Sequence, residues 1–399
     1  MSENGSSDMS ENEPPQPWVQ EAVEVFNNHF ASATRYGERW QKTLFDALGD
    51  ETRYTLLYNR YTLLQEFRSV VDFEDPLERV SFPSAEGDIQ ADNLLCFTRG
   101  EDDRTIPRDD RTIPAPALAS NGLALYANFE AASVLAVHIL HVVPGDNVLH
   151  LGANVNGGPG IVSSNSIILA QSIWPSLYPD STTPPMMGAK KGILHSAGLD
   201  MDTNESLTNL MARYLPTSIV YSRDWRIAHV DGTRQERGND LLLDGLGGYD
   251  KVLVDVPSTT ERYITQAIVG RSQTLLADEL QKWSPISSMQ KAEDQVKLLL
   301  TALMAVRVGG RVVYTTNSIS DEENDGVVEK AFALIQEEVR TGALAWTAHV
   351  ELLDDEVEQR LAADWAEQTA NGWMVLPDHA GGGTWGPRYI SVLTKKNTT

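Results

Sequence analysis

The sequence predicts an α/β fold, doubly wound around a mostly parallel sheet, and three observations lead there. From Asn147 onward, short apolar or β-branched runs alternate with longer amphipathic stretches, and strands separated by helical patterns mean βαβ units. Runs such as NVLHL and VLVDV carry apolar residues on both alternations, as strands covered on both faces do. The first of them feeds a glycine-bearing turn and then a new helical stretch, the arrangement found at the carboxyl end of a ligand-binding strand.

In chain order, residues 1–17 are polar, acidic and proline-containing and read as a disordered leader. Residues 18–118 form an N-terminal helical and short-strand module. Its first part, WVQEAVEVFNNHFASATRYGERWQKTLFDAL, spaces apolar residues by three and four, a helical period. RVSFPSAEGDIQADNLLCFTRG alternates as short strands do around a Gly-Asp turn. A charged loop at 100–116 contains DDRTIP twice in tandem, too short a repeat for a solenoid.

Residues 119–399 supply the Rossmann-like part. LALYANFEAASVLAVHILHV is read as an apolar helix ended by Pro144, Gly145 and Asp146. Strands are expected at 148–152, 192–199, 217–223, 251–256, 310–316, 343–352 and 388–394, with helices at 203–214, 288–307 and 321–340 between them. The C-terminal RYISVLTKK is expected to enter the sheet antiparallel.

Composition narrows the function. Hydrophobic residues make up 41% of the 399 and no run of apolar residues is long enough to span a bilayer, so a membrane-embedded protein is not expected. One cysteine, Cys96, allows neither an intrachain disulfide nor a thiolate zinc cluster. Eight histidines are scattered without metal-ligand spacing, so no metal site is expected. A formal net charge of -24 opposes tight binding to a bare polyanion and suits a basic protein partner.

The candidate site residues lie at the ends of the expected strands. VLHLGANVNGGPG places Gly157 and Gly158 after the first strand, where glycines let a backbone approach a ligand. Asp200, Asp224 and Asp255 are read as acids at the ends of the second, third and fourth strands. In series they suit a nucleoside, whose hydroxyls and amino group donate hydrogen bonds. VLVDVPSTTERY carries Asp255 into a turn with Pro257 and Ser258. The GGGTWGPR stretch at 381–388 reads as a loop, and the acidic ELLDDEVEQRLAADWAEQ as a solvated helix.

YGERWQKTLFDAL, LLCFTRG, VVPGDNVLHLGA, YDKVLVDVPSTTERY, VGGRVVYTTNSISDEENDGVV and GPRYISVLTK together resemble the NSUN (Nop/Sun-domain) RNA cytosine-5 methyltransferases, and most closely their mitochondrial ribosomal RNA branch. That family adds a cysteine thiolate to cytosine C6 to make C5 nucleophilic, and a second cysteine, in an Asp-x-Pro-Cys motif, helps release the product. The corresponding positions are Asn317 in YTTNS and Ser258 in DVPS. Neither is a thiolate, the nucleophile this chemistry favours. The family's first-strand acid is replaced by His150, and its Pro-Gly-Gly-Lys turn by Asn156, Gly157, Gly158 and Pro159.

The resemblance therefore implies a catalytically inactive homologue. Its S-adenosylmethionine pocket would be vestigial, with Gly157, Gly158, Asp200, Asp224 and Asp255 as remnants and no cofactor held firmly. It implies a mitochondrial matrix assembly factor in ribosome biogenesis, on the large subunit. The expected partners are a basic helical-repeat protein of the mitochondrial transcription termination factor (MTERF) type, mitochondrial ribosomal proteins and rRNA. The alternative is an active methyltransferase whose target is an exocyclic amine or another non-C5 atom, since direct displacement needs no cysteine. The acidic leader, with no Lys or Arg before Arg35, is the reverse of a usual transit peptide.

Overall fold

Two sheets organise the chain. The computed structural model describes residues 17–71, 77–85, 94–99, 115–155, 163–179, 191–198, 200–228, 247–270 and 273–398. The acidic leader before Pro17, most of the charged loop with its duplication, and Gly157 and Gly158 lie outside the described residues.

The smaller sheet is antiparallel, with strands β1 (Thr55–Tyr58), β2 (Leu77–Arg79), β3 (Cys96–Arg99) and β4 (Tyr126–Phe129) in the order β2-β3-β1-β4. Tyr126–Phe129 corrects the single long helix expected from Leu123. The segment pairs with β1 from Tyr58↔Tyr126 to Thr55↔Phe129, and the helix begins at Ala131. A continuous apolar run hid the boundary, because periodicity alone does not separate a short buried strand from a buried helix. β4 lies beyond residue 119, so the small sheet straddles the division drawn from the sequence.

The larger sheet contains β5 (Asn147–Leu151), β6 (Ile193–Ala197), β7 (Trp225–Ile227), β8 (Tyr249–Asp255), β9 (Val306–Thr316), β10 (Trp346–Val350), β11 (Glu367–Gln368), β12 (Trp373–Val375) and β13 (Arg388–Asn397). Its order is β11-β12-β13-β9-β8-β5-β6-β7, with β10 paired to β13. The run from β9 to β7 is parallel, and β13 enters antiparallel against β9 as expected. The doubly wound α/β fold class is therefore the observed one. Strand order reverses between β5 and β8, which places the ligand crevice at their carboxyl ends.

Both faces of this sheet are covered, which explains the unbroken apolar runs. Val148, Leu253 and Val313 pack on one side with the helices Ala131–Leu140 and Asn165–Ile173. Leu149, Leu151, Val252, Val254, Val312 and Tyr314 pack on the other with the helix Pro285–Ala305. Side chains alternate across a strand, so each run feeds two cores. The N-terminal helix joins the second core through Phe26, whose ring meets Trp40 at 5.6 Å and Trp283 at 4.7 Å.

One expected strand is not one. Thr217–Val220 is a helical turn that begins at Pro216, and the third parallel strand is β7, which pairs with β6 from Leu194↔Trp225 to Ser196↔Ile227. The β-branched residues there suggested a strand, but proline presets the dihedral of a turn, and Ile219 N closes it onto Pro216 O at 2.9 Å. No helix among the described residues is long and apolar enough to cross a membrane.

Candidate active site

β5 and β8 end side by side. Gly152, just past β5, has φ +77, and a Cβ there would stand 2.2 Å from the Asp255 carbonyl oxygen. Only glycine permits this approach, so the β5 turn and the Asp255 backbone form one wall.

Asp255 is held from two sides. Its Oδ2 accepts from Asn165 Nδ2 at 2.8 Å and its Oδ1 lies 3.3 Å from Arg388 Nη1. Arg388 is 2% exposed and also reaches Thr315 Oγ1 at 3.3 Å. Burial pushes the Asp255 carboxyl up, and the charge of Arg388 works against that rise. Asn165 Oδ1 and Arg388 Nε are buried without a hydrogen-bond partner.

Two residues after Asp255 the chain turns at Pro257, and Ser258 Oγ accepts from Asn317 N at 3.1 Å. The structure thus brings together the two positions singled out in the sequence. None of the described hydrogen bonds joins Ser258 Oγ to a carboxylate or an imidazole that could act as its base. Cys96 is elsewhere, fully buried on β3, its Sγ 3.0 Å from Thr55 Oγ1 and its thiol pushed up by burial to about 12. That sulfur stays protonated near neutrality.

Directly beneath the Ser258 turn, Thr259, Glu261, Ser318 and Glu323 form a buried polar network. Sequence reading missed it, although acids embedded among hydroxyl residues in STTE and SISDEEN were the available signal. Arg262 was also missed. Its Nη1 donates to Gly386 O, and its Nη2 lies 3.3 Å from both Asp50 O and Glu51 O, so it ties the N-terminal segment to the loop before Arg388.

The other expected residues take different places. Asp200 follows β6 and caps the helix Met201–Tyr214, accepting from Thr203 N at 2.7 Å. Hydrogen bonds to Thr203 hold this exposed carboxyl below its usual range. Asp224 precedes β7, and its carbonyl accepts from Leu194 N at 2.8 Å at the start of β6. It therefore lies at the opposite end of the sheet from Asp255. The expected position at a strand's carboxyl end is corrected because the third strand starts after this residue. His150 is fully buried and bonds Ser166 Oγ at 2.8 Å, and burial pushes its imidazole down to about 3. Among the described residues no cluster of three or more His, Cys, Asp and Glu side chains could hold a metal ion.

Whether these residues fit S-adenosylmethionine can be judged from the crevice itself. The backbone cradle is intact where described. A Cβ on Gly198 would meet Asn204 Oδ1 at 2.7 Å, and Ala153 N donates to Ala197 O at 2.9 Å, which draws the β5 and β6 turns together. Asp200 stands at the β6 mouth, and the orphaned Asn165 Oδ1 beside Asp255 is an acceptor in want of a donor. The described residues therefore fit the group, with one fewer acid than the sequence suggested.

Comparison with known proteins agrees with this geometry. The family model described as 16S rRNA methyltransferase RsmB/F matches residues 219–367. The mitochondrial tRNA (cytosine(34)-C(5))-methyltransferase of Danio rerio is 26% identical over 396 residues, covering 96% of this chain and 89% of the relative. The 5-cytosine rRNA methyltransferase NSUN4 of Mus musculus is 30% identical over 245 residues, 61% of this chain and 53% of the relative. The chain is similar to the RNA cytosine-5 methyltransferases of the NSUN family. The crystal structure of NSun6 from Pyrococcus horikoshii shares the fold, with a TM-score of 0.55 at 13% identity over 93% of this chain and 97% of that one.

These matches correct one expectation. The sequence reading made this chain a non-enzyme, whereas the relatives it matches are named as RNA cytosine-5 methyltransferases. The physical reason is that a missing thiol removes one route, covalent addition to C6, and leaves methyl transfer by direct displacement open. The latter needs only an acceptor lone pair in line with the methyl group.

Proposed function

We propose that this protein is a mitochondrial RNA methyltransferase of the ribosome. It delivers its methyl group by direct displacement to an exocyclic amine or another non-C5 atom. It works as a heterodimer with a basic MTERF-type helical-repeat protein, in contact with mitochondrial ribosomal proteins and rRNA. The observation that carries the acceptor class is the mouth of the crevice, where Ser258 and Asn317 meet without a thiol or a base while Cys96 is sealed in the other sheet. The relatives named for mitochondrial tRNA and for rRNA support the substrate class and the compartment.

S-adenosylmethionine, when bound, supplies an electrophilic methyl group. The turn from Gly152 to Ala153, Gly198 and Asp200 would hold it, the glycines by admitting its backbone-close approach and Asp200 by accepting from ribose hydroxyls. With Asp200 alone of the two outer acids at the mouth, binding to the isolated chain is weak. Asp255 orients the acceptor. A carboxylate has about four lone-pair sites, of which Asn165 and Arg388 engage two, so Asp255 can also accept an N–H of the target amine. That bond would orient the amine and give the proton it sheds on methylation, as the methyl–sulfur bond breaks, a carboxylate to go to. The charge of -24 suits a basic partner, which brings the RNA that this surface would repel alone.

The test is methyl transfer from radiolabelled S-adenosylmethionine to mitochondrial rRNA by the native complex, followed by nucleoside analysis. Label on an exocyclic amine supports the reading; 5-methylcytidine, or no transfer by the complete heterodimer, overturns the acceptor class. Calorimetric titration of the isolated chain is expected to give millimolar or weaker affinity. Capture of the native protein should recover a basic helical-repeat chain, and recovery of the protein alone would remove the partner from the proposal.

A further inference from the structure

Glu261 and Glu323 are both fully buried beneath the mouth, and no step above uses either. Glu261 opens the helix Glu261–Val269 after the Ser258 turn, and Glu323 lies in the loop between β9 and the helix Asp325–Arg340. Thr259 Oγ1 stands between them, hydrogen-bonded to Glu261 Oε1 and 2.5 Å from Glu323 Oε1. A hydroxyl carries one hydrogen, so Thr259 can donate to only one of these carboxyls. Its bond to the other requires a proton on that carboxyl. Ser318 Oγ, 2.8 Å from Thr259 Oγ1, cannot supply the missing hydrogen, because its own proton does not lie between Thr259 and either glutamate.

The charges around the pair favour one shared proton. Among the described ion pairs none involves Glu261 or Glu323. The groups facing them are Tyr314 from β9, Tyr36 and Arg35 from the N-terminal segment, Asp321 and Glu322 from the same loop, and His29 beyond Glu322. Arg35 is committed to Asp321 and Asp325. Two like charges this close in a buried site cannot both ionise freely. Burial, with Glu323 adding to it, pushes the Glu261 carboxyl up to about 7.

Each carboxylate grips the turn it does not belong to. Glu323 Oε2 accepts from Thr259 N at 3.0 Å and from Gln295 Nε2 at 2.7 Å. Gln295 Nε2 also donates to Pro257 O at 2.9 Å. Glu261 Oε2 accepts from Ile319 N at 3.2 Å, two residues past Asn317. We propose that Glu261 and Glu323 are positioning residues that share one proton and clamp the Ser258 turn against the Asn317 turn. Loss of the shared proton leaves two facing anions, opens the clamp and widens the mouth. The crevice then answers to pH near neutrality without any titrating group touching the substrate.

Backbone amide exchange of the full-length protein from pH 6 to pH 8, corrected for each amide's intrinsic rate, tests this. In the wild type the protection of the Thr259, Asn317 and Ile319 amides should fall roughly tenfold, the worth of one pKa unit, while β5 amides keep theirs. In Glu261→Gln an amide hydrogen replaces the shared proton, and protection at the three amides should be flat across the range. Glu323→Gln gives the same reading from the other side. Unchanged wild-type protection overturns the clamp whether or not either variant folds, and so does an equal pH response in wild type and Glu261→Gln. The clamp rests on the reading of the crevice as an RNA mouth only for what passes through it. Exchange is measured without RNA, so failure of the clamp and failure of that reading are separate results.

Discussion

Replacing Gly152 with alanine should weaken the fold. Two costs combine there. At φ +77 an L-residue pays about 1–2 kcal/mol for its left-handed backbone. The new Cβ would also sit 2.2 Å from the Asp255 carbonyl oxygen and 3.1 Å from its carbon. Both are backbone atoms that cannot rotate away, and overpacking of this kind costs a further ~1–3 kcal/mol. The expected loss is therefore about 2–5 kcal/mol. Gly122 is the control. Its φ is +80 with nothing within 4 Å of an added Cβ, so Gly122→Ala should show only the first cost, about 1–2 kcal/mol. Urea unfolding of both variants and the wild type reads the difference, provided the slope with urea is unchanged. Equal losses for the two variants would refute the claim that the β5 turn and the end of β8 share one wall.

Three other outcomes follow from the packing. Trp40, 1% exposed and in ring contact with Phe26, Phe30 and Phe45, should cost about 3–5 kcal/mol when truncated to alanine, measured by chemical denaturation. Cys96 should resist a thiol reagent in the folded protein and react once urea unfolds it, because burial holds the thiol up at about 12; fast labelling of the native chain would contradict its placement. His150 stays neutral in the fold down to about 3 but takes a proton near its ordinary value of 6.5 when unfolded. Its contribution to stability is thus complete above that value and is lost as pH falls below it, a slope that His150→Gln should remove from the acid unfolding curve.

How much of this was legible depended on how far each feature reaches along the chain. β5, β8 and β9 were readable because each buries both faces along its centre, where Val148 and Leu149, Val252 to Val254, and Val312 to Tyr314 form unbroken apolar runs. β7 was not, because its Trp-Arg-Ile is too short to show a period and the neighbouring Thr217–Val220 offered more β-branched residues. Asp255, Ser258 and Asn317 were readable from their place after strands. Their environment was not, since the partner of Asp255 is Arg388, 133 residues away, and Glu323 reaches Thr259 across 64. A buried charge announces itself in sequence only when its partner is local, and here the partners belong to other loops. Asp224 shows the converse: an acid beside an expected strand says nothing of which end it occupies until the strand's own limits are known.

The single guanidinium of Arg262, which meets Gly386, Asp50 and Glu51, ties the end of the segment before β1 into the interior of the Rossmann half. A fragment beginning at the small sheet would keep the Rossmann strands and lose two of the three carbonyls around a side chain that is 5% exposed. Such a cut would leave a buried cation short of acceptors, and the loop that presents Arg388 to Asp255 would lose its anchor. Severing and re-mixing the two pieces should restore the crevice only as they re-associate. The described part of the N-terminal segment is thus packed into the Rossmann half as a bound subunit would be.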